Sequence, residues 1–199
     1  MTDLFSSPVL RVEQPRRIPS AKSRYKIYDG HKNLVATASE GHVPIGRQAF
    51  RAFMGEGQDE RTVRVDSAQG QPLLILAKAK TQGLKDHTGV SGPDGTPIGS
   101  IRTDRYRWTY QILDAYERQL GRLDGNRLAR KFRVLDWNGA HVAQLDKKWK
   151  GAATELLTTA DRYSLEIYQP LPDPLRILVA AAPIAIDLML YEGKDWSIS

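Results

Sequence analysis

The stretch from Leu175 to Tyr191 reads LRILVAAAPIAIDLMLY, and its burial decides the fold. Ile177 to Ile186 contains no charge and no polar side chain. Apolar residues surround this helix instead of forming one stripe, and a helix apolar on every side must be buried in a protein core or a bilayer. Asp173 and Pro174 supply an N-cap and a first-turn proline. Length separates the two environments. A spanning helix needs about 20 apolar residues, whereas Arg176 and Asp187 bracket a much shorter clean run. An Asp inside hydrocarbon costs roughly 2.5–3.5 kcal/mol, and Pro183 interrupts the helical hydrogen bonding. The stretch reads as a core helix.

What covers that helix is written upstream. From Tyr25 onward a short alternating run repeatedly reaches turn residues and returns. Tyr25 to Tyr28 turns at Asp29-Gly30-His31-Lys32 and returns through Leu34 to Ala36. Val63 to Val65 turns between Asp66 and Gly70 and returns through Leu73 to Leu76. A third copy turns at Pro93-Asp94-Gly95-Thr96, a fourth at Asp114 to Arg118, and a fifth at Asp136-Trp137-Asn138-Gly139. Alternation with period two buries one face of each strand. Asp, Asn and Gly supply the turns because they tolerate unusual backbone angles. The copies are irregularly spaced, which suits an antiparallel meander and not a solenoid. Tyr163 to Tyr168 reads as one more strand. Phe50, Phe53 and Met54 fall at helical spacing and predict a short amphipathic helix.

Many hairpins with one apolar face each, and one helix that needs cover all round, fit together as a closed sheet wrapped on the helix. Closure also removes exposed sheet edges. An α+β sandwich is the alternative. Residues 1–22, with Pro8, Pro15 and Pro19, read as a loosely attached basic arm, and residues 23–199 as the barrel domain.

Composition bounds function by exclusion. Hydrophobic residues make up 41% and charged residues 26%, enough apolar material for a folded core. Cysteine is absent, so disulfides, zinc-thiolate sites, thiol nucleophiles and palmitoylation are excluded. No apolar h-region occurs between Met1 and Ser20, so no secretory signal is expected and the chain is assigned to the cytoplasm, peripheral at a membrane. The four histidines show no metal-ligand spacing, and there is no P-loop, Rossmann fingerprint or Gly-x-Ser-x-Gly elbow. No catalytic set, metal or cofactor is expected. The formal net charge of +6 favours anionic partners. Nucleic acid is the less favoured one, since no helix-turn-helix, RNA-binding aromatic motif or zinc module is visible.

One series of motifs points to a family. Lys147-Lys148-Trp149-Lys150-Gly151, then Glu155, then Thr158-Thr159-Ala160-Asp161-Arg162-Tyr163, the strand to Tyr168-Gln169-Pro170, and Ile186-Asp187-Leu188-Met189-Leu190-Tyr191-Glu192 follow one another in that order. This series resembles the C-terminal part of the phospholipid scramblase family, and more widely the tubby-like superfamily that includes LURP-one-related proteins. The resemblance implies a barrel of about twelve antiparallel strands around a central apolar C-terminal helix. It also implies phospholipid scrambling, phosphoinositide binding or membrane-tethered regulation. Trp149, Gly151, Glu155, Asp161 and Asp187 are the matching motif residues.

Lys147, Lys148 and Lys150 are the candidates for holding lipid headgroups, because basic residues near anionic lipid contribute about 1 kcal/mol each. Trp149 either packs the loop onto the barrel or sits at a membrane interface. Asp187 is expected to be structural, pairing inside the barrel or reaching its mouth. The family's acidic turn is altered here: Thr159 and Arg162 stand where calcium would want more carboxylates, so calcium is not expected. A regulatory or structural barrel that binds protein or nucleic acid is the alternative to a lipid-binding module.

Overall fold

A computed structural model describes residues 3–14, 24–41, 61–79, 86–104, 108–126, 128, 130–148 and 161–190. Twelve strands follow in chain order: β1 (Val9–Gln14), β2 (Arg24–Asp29), β3 (Leu34–Glu40), β4 (Arg61–Ser67), β5 (Pro72–Ala79), β6 (His87–Ser91), β7 (Pro97–Thr103), β8 (Thr109–Asp114), β9 (Gln119–Gly125), β10 (Lys131–Asp136), β11 (His141–Lys148) and β12 (Asp161–Ile167). Each pairs antiparallel with its chain neighbours, and β1 pairs with β12 to close the barrel. The expected closed barrel is therefore the observed fold, and the α+β sandwich is not. The helix predicted around Phe50, Phe53 and Met54 lies outside the described residues.

The closing strand corrects the domain reading. Residues 9–14 fall within the arm assigned to residues 1–22, yet they form β1, with Val12 opposite both Tyr163 and Ile27. Its run Leu10-Val12-Gln14 is too short to identify alone, and only pairing on both edges makes it a strand. Leu10 and Val12 lie in the core.

Five hairpins share one backbone design. The first turn residue donates its N–H to the carbonyl four positions on, and the fourth donates back to the first: Asp29 with Asn33 and Lys32, Ser67 with Gln71 and Gly70, Gly92 with Thr96 and Gly95, Asp114 with Arg118 and Glu117, Asp136 with Ala140 and Gly139. The fourth residue takes a left-handed conformation each time, with φ of 68° at Lys32, 82° at Gly70, 86° at Gly95, 62° at Glu117 and 83° at Gly139. These are type I turns with a G1 bulge, and the register shifts beside each. Side chains reinforce the backbone. Asp29 accepts the N–H groups of His31 and Asn33 at 2.9 and 2.8 Å, and Asp114 and Asp136 do the same for their loops. In the second turn the capping residue is Ser67 and not the expected Asp66, whose carboxylate faces Arg64 Nε at 3.0 Å. In the third, glycine occupies the capping position and Asp94 serves Thr96 from within the loop.

The helix α1 (Leu175–Leu190) fills the barrel, and nearly all its residues are buried. It starts one residue beyond the expected N-cap: the Pro174 carbonyl accepts the first helical bond, from Leu178 N–H at 3.1 Å. Leu178 packs where β7 passes close by. A Cβ added to Gly99 would stand 2.8 Å from Leu178 Cδ1 and 2.2 Å from the Leu113 carbonyl oxygen, so the wall approaches the helix only because residue 99 lacks a side chain. At its other end Asp187 meets Tyr25 and Tyr163. The helix thus runs from the hairpin tips to the opposite mouth. No helix among the described residues is long and apolar enough to cross a membrane.

Candidate functional site

On five strands the inward row is apolar until its last position at the mouth opposite the tips. Leu10 and Val12 give way to Gln14, Ala36 and Ala38 to Glu40, Val65 and Val63 to Arg61, Leu74 and Leu76 to Lys78, and Leu145 to Lys147. Strand periodicity puts these polar residues in one layer, around the C-terminal part of α1.

Asp187 is the centre of that layer. It is fully buried, and an isolated buried carboxylate is costly unless donors surround it. Tyr25 Oη donates to its Oδ2 at 2.8 Å and Tyr163 Oη to its Oδ1 at 2.7 Å. Both phenols are themselves buried, and Gln14 Nε2 donates to Tyr25 Oη at 3.5 Å. Lys147 Nζ lies 5.2 Å from the Tyr163 ring centroid, a cation–π contact. Arg61 makes a bidentate pair with Glu40, through Nε at 2.9 Å and Nη2 at 2.8 Å. Its guanidinium is held more firmly protonated than usual, first by the Glu40 hydrogen bonds and then by the charges of Glu40 and Asp187. Lys78 is buried with Nζ 3.9 Å from Asp86, and Thr88 Oγ1 donates to the Ala185 carbonyl at 3.5 Å. Burial also pushes the nearby Tyr110 phenol well above its ordinary value.

This is a charge-balanced polar plug. It satisfies a buried carboxylate and fixes the end of the central helix. It presents no activated nucleophile with a partnering base, and no group of three or more His, Asp or Glu able to hold a metal occurs among the described residues.

The sequence candidates divide accordingly. Asp187 lies buried at the mouth, bonded to Tyr25 and Tyr163. Lys147 shares Tyr163 with it and stands on the inward row of β11. Lys148 ends β11 opposite Arg162, and Asp161 opens β12 opposite Gln14. Trp149, Lys150, Gly151 and Glu155 lie outside the described residues. Tyr25, Tyr163, Gln14, Glu40, Arg61 and Lys78 were not among the candidates. For Gln14, Glu40, Arg61 and Lys78 the signal was present as the polar residue that ends an apolar alternation; Tyr25 and Tyr163 carried none.

A groove of about 550 Å³ also lies on the outer wall, where Arg11 and Lys32 share the lining with Glu13 and Tyr28. The Glu13 carboxylate offsets part of its positive charge.

The Scramblase family matches the chain over residues 20–193. An X-ray structure of a protein from Arabidopsis thaliana superposes with a TM-score of 0.53 at 15% identity, covering 92% of this chain and 96% of that one. At that identity the likeness speaks for the fold alone. No curated protein sequence matches the chain.

Proposed function

Because the chain belongs to the Scramblase family, we propose that it is a tubby-like domain that binds anionic phospholipid at a membrane surface, with no covalent chemistry. The observation that carries this reading is the burial of α1. The one segment apolar enough to suggest a bilayer is enclosed by the barrel, so contact with lipid falls to the charged exterior. The chain's net charge of +6 has the sign that anionic headgroups require. Lys147, Lys148 and Lys150 remain the headgroup candidates.

Scrambling would require a hydrophilic path for headgroups across the hydrocarbon. With α1 inside a closed barrel this conformation offers none through the helix, so surface binding is the primary activity in this reading. On the same reading the protein is a peripheral cytoplasmic module and not an enzyme.

Co-sedimentation with phosphatidylcholine vesicles carrying increasing phosphatidylserine tests it. Bound protein should rise with the anionic fraction and fall as salt shortens the screening length from about 10 Å at 0.1 M to about 3 Å at 1 M. Absence of binding to acidic vesicles at low salt overturns the reading, and retention on DNA or RNA at physiological salt would favour a nucleic-acid module instead.

A further inference from the structure

We propose that the tip of the fifth hairpin is a docking site for an arginine side chain of a partner protein, held between the Asp136 carboxylate and the Trp137 indole. This goes beyond the lipid-binding reading and does not depend on it.

The hairpins can be compared position by position. Three of them carry Asp as the first turn residue, and in each its Oδ1 accepts the N–H groups of the third and fifth residues. The second carboxylate oxygen is served by the side chain of the fifth residue wherever that residue can donate. Asn33 Nδ2 donates to Asp29 Oδ2 at 2.9 Å, and Arg118 Nε donates to Asp114 Oδ2 at 2.6 Å. In the fifth hairpin that residue is Ala140, whose methyl has nothing to donate. Asp136 Oδ2 therefore has no partner among the described residues. Asp29 and Asp114 are buried, whereas Asp136 is open in part to solvent.

The fourth hairpin shows what such a carboxylate holds. While Arg118 Nε bonds Asp114, the guanidinium carbon lies 5.4 Å from the Tyr116 ring centroid. A carboxylate and an aromatic ring of one loop thus share one cation. Guanidinium suits both holders, because it donates within its plane and stacks on a π face. The fifth hairpin keeps the two holders and lacks the cation. Trp137 adjoins Asp136, one position earlier in its loop than Tyr116, and it is 74% exposed. Tryptophan is seldom left so open, and its ring is the strongest of the aromatic faces for a cation.

The surroundings favour a protein as the source of that cation. Aromatic surface continues at the base of the same hairpin. Tyr168 is 54% exposed, donates its N–H to the Val142 carbonyl at 2.9 Å and meets the His141 ring edge to face at 5.1 Å. Tryptophan and tyrosine are the anchors that protein interfaces use most. Charge gives the sign of the partner. The tips hold Asp29, Asp94, Asp114, Glu117 and Asp136 against Lys32 and Arg118, and the chain flanking them adds Asp3 and Asp173 against Arg176. This end draws a basic loop and repels an acidic one.

Labelling with 5-fluorotryptophan gives one resonance for each of the four tryptophans, and Trp137→Phe assigns the one from residue 137. A short glycine peptide carrying two arginines should shift that resonance. The same peptide with citrulline, which keeps the shape and loses the charge, should not. Ala140→Arg supplies the missing cation from within the loop, as Arg118 does. It should weaken peptide binding roughly fivefold or more with an unaltered circular dichroism spectrum. Trp137→Ala should weaken it as much, read by the anisotropy of a dye-labelled peptide. Peptide binding that survives both substitutions overturns the site. A Trp137 resonance that ignores the peptide and shifts with phosphatidylcholine vesicles makes a lipid headgroup the occupant and overturns the protein partner. No shift with either probe removes the site altogether.

Discussion

The Tyr163 hydroxyl donates to Asp187 Oδ1 at 2.7 Å, joining the last strand to the central helix where both lie in the barrel mouth. Tyr25 holds the other carboxylate oxygen from the second strand, 162 residues away in sequence. One buried charge thereby ties three elements together. Hydrogen bonds to a charged group contribute about 1.5–3 kcal/mol each, so Tyr163→Phe and Tyr25→Phe should each lower stability by that amount. The double variant should depart from additivity, because both phenols serve one carboxylate. Urea unfolding checks this: the midpoint should fall with little change in slope.

The turn aspartates should make stability pH-dependent on the acid side. Asn33's side-chain amide, aided by the backbone N–H groups of Asn33 and His31, holds the Asp29 carboxyl below its ordinary 3.8. For Asp114, burial opposes ionisation, but the Arg118 backbone and guanidinium and the Tyr116 N–H outweigh it and lower the value. A folded pKa below the unfolded one gives stability that is fully present above the unfolded value and lost as pH falls through the folded value. Unfolding free energy should therefore be flat with respect to these groups above about pH 5 and decline below about pH 4. Asp29→Asn should make that decline shallower in a pH series of denaturant titrations, and an unchanged slope would remove Asp29 from this role.

Left-handed residues give a prediction of opposite sign at two equivalent positions. Lys32 has φ of 68° and Gly139 has φ of 83° at the same place in their turns. A side chain costs roughly 1–2 kcal/mol in that conformation. Lys32→Gly should raise the melting temperature, with a gain of up to about 1 kcal/mol after the added freedom of glycine in the unfolded chain. Gly139→Ala should lower it, although no atom lies within 4 Å of the new Cβ. Calorimetry on the two variants tests the backbone term with almost no packing change.

Gly99 tests the fit between wall and helix. Gly99→Ala would force a methyl against the Leu113 carbonyl and the Leu178 side chain, and overpacking of this kind costs about 1–3 kcal/mol or more. Adding Leu178→Ala should not rescue it, because the nearer clash is with backbone. Recovery of stability in the double variant would show that the helix, and not β8, limits the approach.

Much of this molecule was legible locally. The turn at Asp136-Trp137-Asn138-Gly139 announces itself because its capping carboxylate and its left-handed glycine are chain neighbours. Asp66 misled for the same reason: it is an acid beside a turn, and only the bulge register shows that Ser67 does the capping. β1 escaped notice because three inward residues carry too little periodicity to reveal a strand. The candidate site was half visible. Lys147 and Asp187 stood out as a basic residue in a basic cluster and an acid in an apolar run. Their companions Tyr25 and Tyr163 looked like ordinary aromatic core residues.

By itself, the sequence from Leu175 to Tyr191 required a helix covered on all sides, and the alternating runs before it required a sheet to cover it. Both follow from short-range patterns of apolar side chains, which commit each element to a buried face before any partner is specified. Only the tertiary structure decided that the sheet closes through β1 and that Gln14, Tyr25, Lys78 and Asp187 share one polar layer. Those residues meet because closing a barrel brings strand ends distant in sequence around one helix end. No local pattern encodes which of them will face the carboxylate.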